Sequence, residues 1–282
     1  MESTQDSKET NNILNIPTAI VVAGAIVALA IIFTRTQSPS DTKTLVKQTS
    51  FEVNVKSISD SDHVIGNPNA KVKLIEYSDP SCPYCKVFHN TMRKIMSDYG
   101  PSGNVAWVYR SYPLLGKENI NGEIPHPNAI NESSAMECAG SLGGNEKFWL
   151  YANRLYEITP SVTKSSPKGL DQKELPKIAQ FVGLNVDDFN NCLSTGKFKD
   201  YIEKNIVEGL NVGIDGTPSS IIVLDTAFPA SVKEKLMNLY EPFKGPTGEY
   251  PIRISADSKM IIMMGALPIE TIKATLNLFF AY

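Results

Sequence analysis

The 282-residue sequence has few of the side chains that mark metal or nucleotide sites. Its three histidines include no His-x-x-x-His pair, and neither a carboxylate cluster nor a glycine-rich phosphate loop is present. These absences argue against a metal centre and against a nucleotide cofactor. The sequence context places His63 in a polar turn, His89 on the solvent side of a helix and His126 in a loop.

The chain also lacks an excess of either charge. It carries 27 basic and 30 acidic residues, a net charge of −3, so electrostatics offers no reason to expect nucleic-acid binding. Hydrophobic residues make up 42% of the chain, which is enough for one ample domain or two small ones.

One long apolar run is present, the uncharged segment Ile16–Phe33. Its 18 residues are just enough to span a bilayer, and no basic start or clear cleavage site suggests a signal peptide. We therefore expect an uncleaved anchor, with a cleaved signal as the alternative. The predicted divisions are a polar tail (1–15), a transmembrane anchor (16–34), a linker (35–50) and a folded domain (51–282).

Basic residues are more frequent after this span than before it. Lys8 precedes the span, whereas Arg35, Lys43 and Lys47 follow it, which by the positive-inside rule favours a cytoplasmic C-terminal side. The cysteine pattern favours the opposite orientation, with the C-terminal side outside the cytoplasm, and we adopt that orientation.

Two of the four cysteines lie three positions apart, in Cys82-Pro83-Tyr84-Cys85. The pair lies between an apolar run and a helical pattern, so Cys82 falls at a helix N-terminus, where free backbone N–H groups and the helix dipole stabilise a thiolate. Cys85, one turn deeper, could attack a mixed disulfide formed by Cys82. Half of a zinc site and two inert structural thiols are the alternatives.

A carboxylate precedes this pair on the same strand pattern. Glu76 shares a strand face with Val72 and Leu74. If it is buried, its pKa would be raised, and it could relay the proton of Cys85. Alternatively, Glu76 lies in water at a frayed strand end.

Hydrophobic periodicity predicts strands and helices that alternate around one long helical block. The block covers roughly residues 117–213, between strands. The expected strands are Phe51–Val55, Lys71–Tyr77, Val105–Tyr109, Ser219–Leu224 and Met260–Met264. The expected helices include Lys86–Tyr99, Pro127–Leu142 (ended by Gly143-Gly144), 171–182, 187–194, Phe198–Leu210, Val232–Phe243 and one that begins at Pro268. The connection 225–258 is unusually long and has no assigned function.

Most of residues 60–282 resembles the DsbA-like branch of the thioredoxin superfamily. The matching motifs, in order, are Gly66-Asn67-Pro68-Asn69-Ala70, Glu76-Tyr77-Ser78-Asp79, Cys82-Pro83-Tyr84-Cys85, Tyr109-Arg110-Ser111-Tyr112-Pro113-Leu114, His126-Pro127-Asn128-Ala129, Glu137-Cys138-Ala139, Gly183-Leu184, Cys192-Leu193 and Gly213-Ile214-Asp215-Gly216-Thr217-Pro218.

This resemblance implies a role for each site residue. Cys82 is the exposed nucleophile, Cys85 the resolving thiol and Glu76 the acidic proton relay. The family's cis-proline corresponds to Pro218, and substrate would contact it together with Thr217, Pro83 and Tyr84. Because Tyr84 replaces the histidine of the family's strongest oxidants, we expect Cys82 to be less acidic and its disulfide less oxidising than theirs.

The other two cysteines, Cys138 and Cys192, are separated by 54 positions. We favour a structural disulfide between them, although a zinc site made of all four thiolates and two buried free thiols are alternatives. A structural disulfide would indicate an oxidising compartment, and hence the outer side of the membrane.

The combined expectation is an α/β protein with a thioredoxin-like fold and a helical insertion, preceded by a single N-terminal transmembrane helix. It would be an extracytoplasmic thiol-disulfide oxidoreductase that forms disulfides in exported proteins without a cofactor and is reoxidised by a membrane partner. An extracytoplasmic reductase or isomerase is the first alternative. A non-redox, membrane-tethered chaperone or peptide-binding module is the second.

Overall fold

A six-stranded sheet forms the centre of the computed structural model, which describes residues 54–114, 126–160 and 169–281. Its order is β1-β3-β2-β4-β6-β5, and only β2 and β3 run parallel. The strands are β1 (His63–Gly66), β2 (Val72–Ser78), β3 (Val105–Ser111), β4 (Ser219–Leu224), β5 (Ile252–Ile254) and β6 (Met260–Met264).

Seven α-helices accompany the sheet within these residues. They are α1 (Pro83–Tyr99), α2 (Ala129–Ile158), α3 (Leu175–Phe181), α4 (Val186–Ser194), α5 (Lys199–Asn211), α6 (Ala230–Tyr240) and α7 (Ile269–Phe280). Helix α1 connects the parallel strands β2 and β3, as expected for a βαβ unit.

The two faces of β2 belong to different hydrophobic clusters. Val72 and Leu74 pack into a large core that includes the apolar side of α1. Ile75 and Tyr77 point to the opposite face and pack with residues near the end of α5. Because a hydrophobic cluster covers each face, β2 is buried along nearly its whole length. The alternation of side chains also directs Glu76 toward the same face as α1.

Helices α2 to α5 lie between β3 and β4 in sequence, so the helical insertion is confirmed. Gly144 interrupts α2 with φ 74° and ψ −174°, a conformation that residues with a Cβ rarely adopt. The predicted break at Gly143-Gly144 is therefore present as a kink, and the helical residues on either side form one long element.

The N-terminal strand differs from the prediction. Residues 51–53 of the expected strand lie outside the described residues, and Asn54 and Val55 are not in a strand. The first strand is instead β1, which pairs antiparallel with β3. His63 begins this strand, so the prediction that it lies in a polar turn was wrong. The segment forms a strand because β3 provides the partners for its backbone hydrogen bonds.

Another strand was missed within the long connection 225–258. Strand β5 pairs with β6 at the sheet edge. It is only three residues long, too short for a period-2 signal to be recognised.

The predicted membrane span Ile16–Phe33 lies outside the described residues. Among the helices that the structure does describe, none combines the length and apolarity needed to cross a bilayer.

A disulfide bond joins Cys138 in α2 to Cys192 in α4. It therefore ties two helices of the insertion together. Cys138 is buried, and Cys192 packs against the same core. The Cys138–Cys192 pair is thus not available as thiolates for a zinc site in this state.

Removing this crosslink should lower the stability of the protein. We expect the double variant C138A/C192A to lose about 4 kcal/mol of unfolding free energy, because the unfolded chain regains the freedom of a 54-residue loop. Urea unfolding followed by circular dichroism measures the difference. The control is C82S/C85S, which keeps the crosslink. A loss below about 1 kcal/mol in C138A/C192A would contradict the prediction.

Candidate active site

The Cys82-Pro83-Tyr84-Cys85 segment lies at the start of α1, shortly after the end of β2. Cys82 is the N-cap of α1, with extended backbone (φ −77°, ψ 124°), and Pro83 occupies the first helical position. Proline suits that position because its missing N–H would have had no partner within the helix. Both cysteines are free thiols.

Cys82 is less accessible than expected. Cys82 is 5% exposed and Cys85 is fully buried, so the expectation of an exposed nucleophile was wrong. The Thr217 carbonyl lies 3.5 Å from Cys82 Sγ, against the sulfur. Tyr84, in contrast, is 66% exposed and extends into solvent.

The environment of the pair separates the acidities of the two thiols. The pKa of Cys82 is lowered to about 6, chiefly by the Cys85 thiol that hydrogen-bonds to it, although burial acts in the opposite direction. The first-turn N–H groups of Cys85 and Tyr84 and the Thr217 side chain lower it further. Burial raises the pKa of Cys85, and the negative charge on Cys82 adds to this effect. At neutral pH the pair therefore shares one proton, held on Cys85, and Cys82 carries the thiolate.

The loop before β4 completes this side of the site. The Thr217–Pro218 peptide bond is cis, and the Pro218 carbonyl accepts a hydrogen bond from Gly265 N at 2.8 Å. The buried Thr217 hydroxyl has no hydrogen-bond partner among the described residues. It is therefore free to donate to the thiolate of Cys82.

Glu76 is completely buried on the sheet face toward α1. Its Oε2 accepts a hydrogen bond from Trp107 Nε1 at 2.7 Å. Burial raises its pKa to about 7, while Ser78 and Trp107 counteract part of that rise. The alternative of a frayed, solvated strand end was wrong, because β3 and β4 flank β2 on both sides. A pKa near 7 lets Glu76 exchange protons at neutral pH.

Ser78 affects both Glu76 and the deeper thiol. It lies two positions after Glu76 on the same strand face, and it lowers the pKa of both Glu76 and Cys85. Its hydroxyl also lies 3.1 Å from Tyr156 Oη, which in turn lies 3.0 Å from Tyr109 Oη. This buried hydroxyl chain was not predicted; the strand alternation that singled out Glu76 also applied to Ser78.

A second polar cluster surrounds the loop just before Cys82. The buried Asp79 carboxylate accepts hydrogen bonds from Ser81 N at 2.8 Å, Leu114 N at 2.9 Å and His126 Nδ1 at 2.8 Å. Ser81 Oγ donates to Glu132 Oε2 at 2.6 Å. Burial raises the pKa of Glu132 to about 7. Sequence reasoning missed this cluster because its members are far apart in the chain.

The expectation that His89 faces solvent was also wrong. The residue is fully buried, and its Nε2 lies 2.8 Å from Asn153 Oδ1. Its ring packs against those of Tyr156 and Trp107. Burial lowers its pKa to about 4, so the ring is neutral at physiological pH. The physical reason is that α2 covers a second side of α1, which the helix periodicity alone does not show.

Comparison with known proteins agrees with this fold. A family model described as thioredoxin matches residues 59–237, which is more than half of the chain. The chain belongs to this thioredoxin family. The match includes β2, the cysteine pair, the helical insertion and β4.

Two curated relatives carry names related to disulfide chemistry. A Rickettsia bellii protein provisionally named protein-disulfide oxidoreductase is 25% identical over 177 residues, covering 62% of this chain and 61% of that protein. A Bacillus anthracis protein provisionally named disulfide bond formation protein D is 22% identical over 171 residues, covering 58% and 71%. The chain spans less than two thirds of the length of the Rickettsia relatives.

Two solved structures share the fold. BdbD from Bacillus subtilis superposes with a TM-score of 0.56 at 17% identity, covering 82% of this chain and 98% of that one. Wolbachia pipientis α-DsbA1 also has a TM-score of 0.56, at 18% identity, covering 79% and 94%. The architecture of this chain is thus thioredoxin-like and of the DsbA type.

The position of Glu76 predicts an effect on the thiol that lies deeper in the site. The variant Glu76→Gln keeps the side-chain shape but cannot take up the proton of Cys85. We expect attack by Cys85 on a mixed disulfide at Cys82 to slow by roughly tenfold to a hundredfold. In the wild type this rate should rise as the pH increases through about 7, where the Glu76 carboxylate forms, and the variant should lack that rise.

Stopped-flow reaction with an aromatic disulfide measures this step. The first aromatic thiolate is released when Cys82 attacks the reagent, and the second is released when Cys85 attacks the mixed disulfide at Cys82. Glu132→Gln is the matched control, because it removes another buried carboxyl with a pKa of about 7 that hydrogen-bonds to Ser81. Equal second-phase rates in wild type and Glu76→Gln would exclude the relay.

Proposed function

We propose that this protein is an extracytoplasmic thiol-disulfide oxidoreductase that introduces disulfides into exported proteins through Cys82 and Cys85. The observation that carries the proposal is the split acidity of the thiol pair. A thiolate stabilised in the reduced state makes the corresponding disulfide a stronger oxidant, because reduction then forms a favourable product. The low pKa of Cys82 therefore favours the oxidising direction.

The exchange follows from the positions of the two sulfurs. In the oxidised protein, a substrate thiolate attacks Cys82 Sγ, the Cys82–Cys85 bond breaks, and Cys85 leaves as a thiolate that takes a proton through Ser78 and Glu76. A second substrate thiolate then attacks the substrate sulfur of the mixed disulfide, and Cys82 leaves as a stabilised thiolate. The substrate loses two electrons and gains a disulfide, and the cysteine pair becomes a dithiol.

The Thr217–Pro218 loop provides the surface for the substrate chain. The Thr217 carbonyl lies against Cys82 Sγ, and Tyr84, two positions after Cys82, is exposed. Because Cys82 is nearly covered, an extended substrate segment has to approach between these two features. Pro83, Tyr84, Thr217 and Pro218 are thus the proposed substrate contacts.

Turnover as an oxidase requires that the dithiol be reoxidised. We propose that a membrane protein with a reactive disulfide accepts the two electrons, by the same exchange run in the opposite direction at Cys82. The proposed anchor Ile16–Phe33 would keep the domain close to such a partner. No prosthetic group is required for this cycle.

The redox equilibrium of the pair with glutathione tests the proposed direction. We expect a reduction potential nearer to the strongly oxidising value of roughly −120 mV than to roughly −270 mV, measured by alkylation of Cys82 and mass spectrometry. A potential near roughly −270 mV would support the reductase alternative instead. If Cys82 and Cys85 never form a disulfide with each other, the redox proposal fails and a peptide-binding module takes its place.

Two matched variants assign the roles of the cysteines in the same assay. Cys85→Ser should accumulate a mixed disulfide with a disulfide-linked peptide dimer, because the Cys82 thiolate attacks that bond, one peptide leaves as a thiolate, and the resolving thiol is absent. Cys82→Ser should form none, because Cys85 is buried and remains protonated. Mixed disulfides in both variants, or in neither, would contradict the assignment.

The extracytoplasmic location is a separate proposal. It is supported by the structural disulfide between Cys138 and Cys192, since such crosslinks persist in oxidising compartments. The uncharged run Ile16–Phe33 supports attachment by a single membrane span.

Labelling intact cells tests this location. After mild reduction, a membrane-impermeant maleimide should modify Cys82 without cell lysis, and alkaline carbonate should leave the protein in the membrane fraction. Cys82→Ser is the control for labelling at this position. Labelling only after lysis would place the domain in the cytoplasm, as the charges around the span favour, and would overturn the proposed location.

A further inference from the structure

The segment between the two cysteines contains no group that carries a positive charge. Tyr84 is exposed to solvent, and neither it nor Pro83 can become cationic. The only histidine in direct contact with the residues of the preceding loop, among those described, is His126. It precedes α2 and lies 47 positions from the aspartate that binds it.

Asp79 links His126 to the nucleophile. The Asp79 backbone carbonyl accepts a hydrogen bond from Cys82 N at 3.1 Å. Its carboxylate holds His126 Nδ1 at 2.8 Å through Oδ2 and Ser81 N at 2.8 Å through Oδ1. One buried residue thus contacts both the backbone of the cysteine and the imidazole.

The charges around His126 favour its protonated form. Its pKa is raised, first by the hydrogen bond to Asp79, and further by the charges of Asp79, Cys82 and Glu132, while burial acts in the opposite direction. All three of these groups are thus anionic when ionised. The Asp79 charge is already matched by the imidazolium, so the thiolate does not face an uncompensated carboxylate.

We propose that His126 is a positioning residue that, held by Asp79, provides the cationic charge beside the Cys82 thiolate that the Pro83-Tyr84 dipeptide lacks. The inference rests on the proposed redox function and deepens it, because it names the group that tunes how oxidising the site is. A cation near Cys82 stabilises the reduced pair and so makes the disulfide more oxidising.

The direction of the pH effect follows from this arrangement. The stabilisation of the thiolate is present below the pKa of His126 and is lost as the pH rises through that value. Conversely, oxidation of Cys82 removes its negative charge, so the pKa of His126 should be lower in the oxidised protein. Titration of His126 and oxidation of the cysteines are therefore coupled.

The first test uses the purified, reduced 282-residue chain and the pH dependence of Cys82 alkylation by iodoacetamide. We expect His126→Gln to raise the pKa of Cys82 by roughly one unit. The equilibrium with glutathione at pH 7 should then shift about fivefold toward the disulfide.

The matched control is His63→Gln. His63 also bonds a carboxylate at 2.8 Å, through Glu137, and its side chain is about as exposed as that of His126, but it lies in β1. We expect this variant to leave the pKa of Cys82 unchanged. If both variants shift that pKa equally, the effect is a general loss of stability and the proposal is wrong.

The second test does not require any substitution of His126. Nuclear magnetic resonance of the imidazole protons gives the pKa of His126 in the reduced chain and in Cys82→Ser. We expect a lower value in Cys82→Ser, by a few tenths of a unit to roughly one unit. Equal values would overturn the proposal, even if His126→Gln failed to fold.

These measurements also separate the inference from the proposed function. Alkylation and histidine titration are performed on the reduced protein, so they give an answer even if no Cys82–Cys85 disulfide ever forms. If the cysteine pair forms a disulfide normally but the pKa of Cys82 is unchanged in His126→Gln, the inference is refuted and the proposed function stays intact.

Discussion

The interaction between the Cys85 thiol and the Cys82 sulfur is the one on which the acidity of this site depends. It keeps one proton on the deeper sulfur and one negative charge on the outer sulfur. The two sulfurs interact because Cys82 is the N-cap of α1 and Cys85 lies in its first turn. The fold maintains this geometry by ending β2 at Ser78 and beginning α1 at Pro83, so that only a short loop separates the sheet from the thiols.

Besides covering the core, the helical insertion provides side chains that lie close to this site. Helix α2 brings Tyr156 to the hydroxyl chain beside Cys85 and Glu132 to the loop before Cys82. The Cys138–Cys192 crosslink ties the same helix to α4. Two side chains from one helix therefore contact Ser78 and Ser81, which lie just before the thiol pair in the chain.

Burial of carboxyl groups near the thiols has a cost as well as a use. Glu76 and Glu132 have pKa values of about 7, above the ordinary value, so ionising them is harder in the folded protein than in the unfolded chain. Their effect on stability is absent below the unfolded pKa and becomes unfavourable as the pH rises toward and beyond 7. The chain retains two such groups next to a thiol pair, which is consistent with proton transfer at neutral pH.

The sequence alone determined the features whose causes are local. The cysteine spacing, the proline in the first turn and the apolar periodicity of α1 placed a thiol pair at a helix N-terminus, and the ordered motifs indicated the family. Tertiary structure decided the protonation chemistry. Glu76 is buried because β3 and β4 flank its strand, and His89 is buried because α2 covers a second side of α1. His126 meets Asp79 across 47 positions, and such long-range contacts leave no periodic signal in the chain.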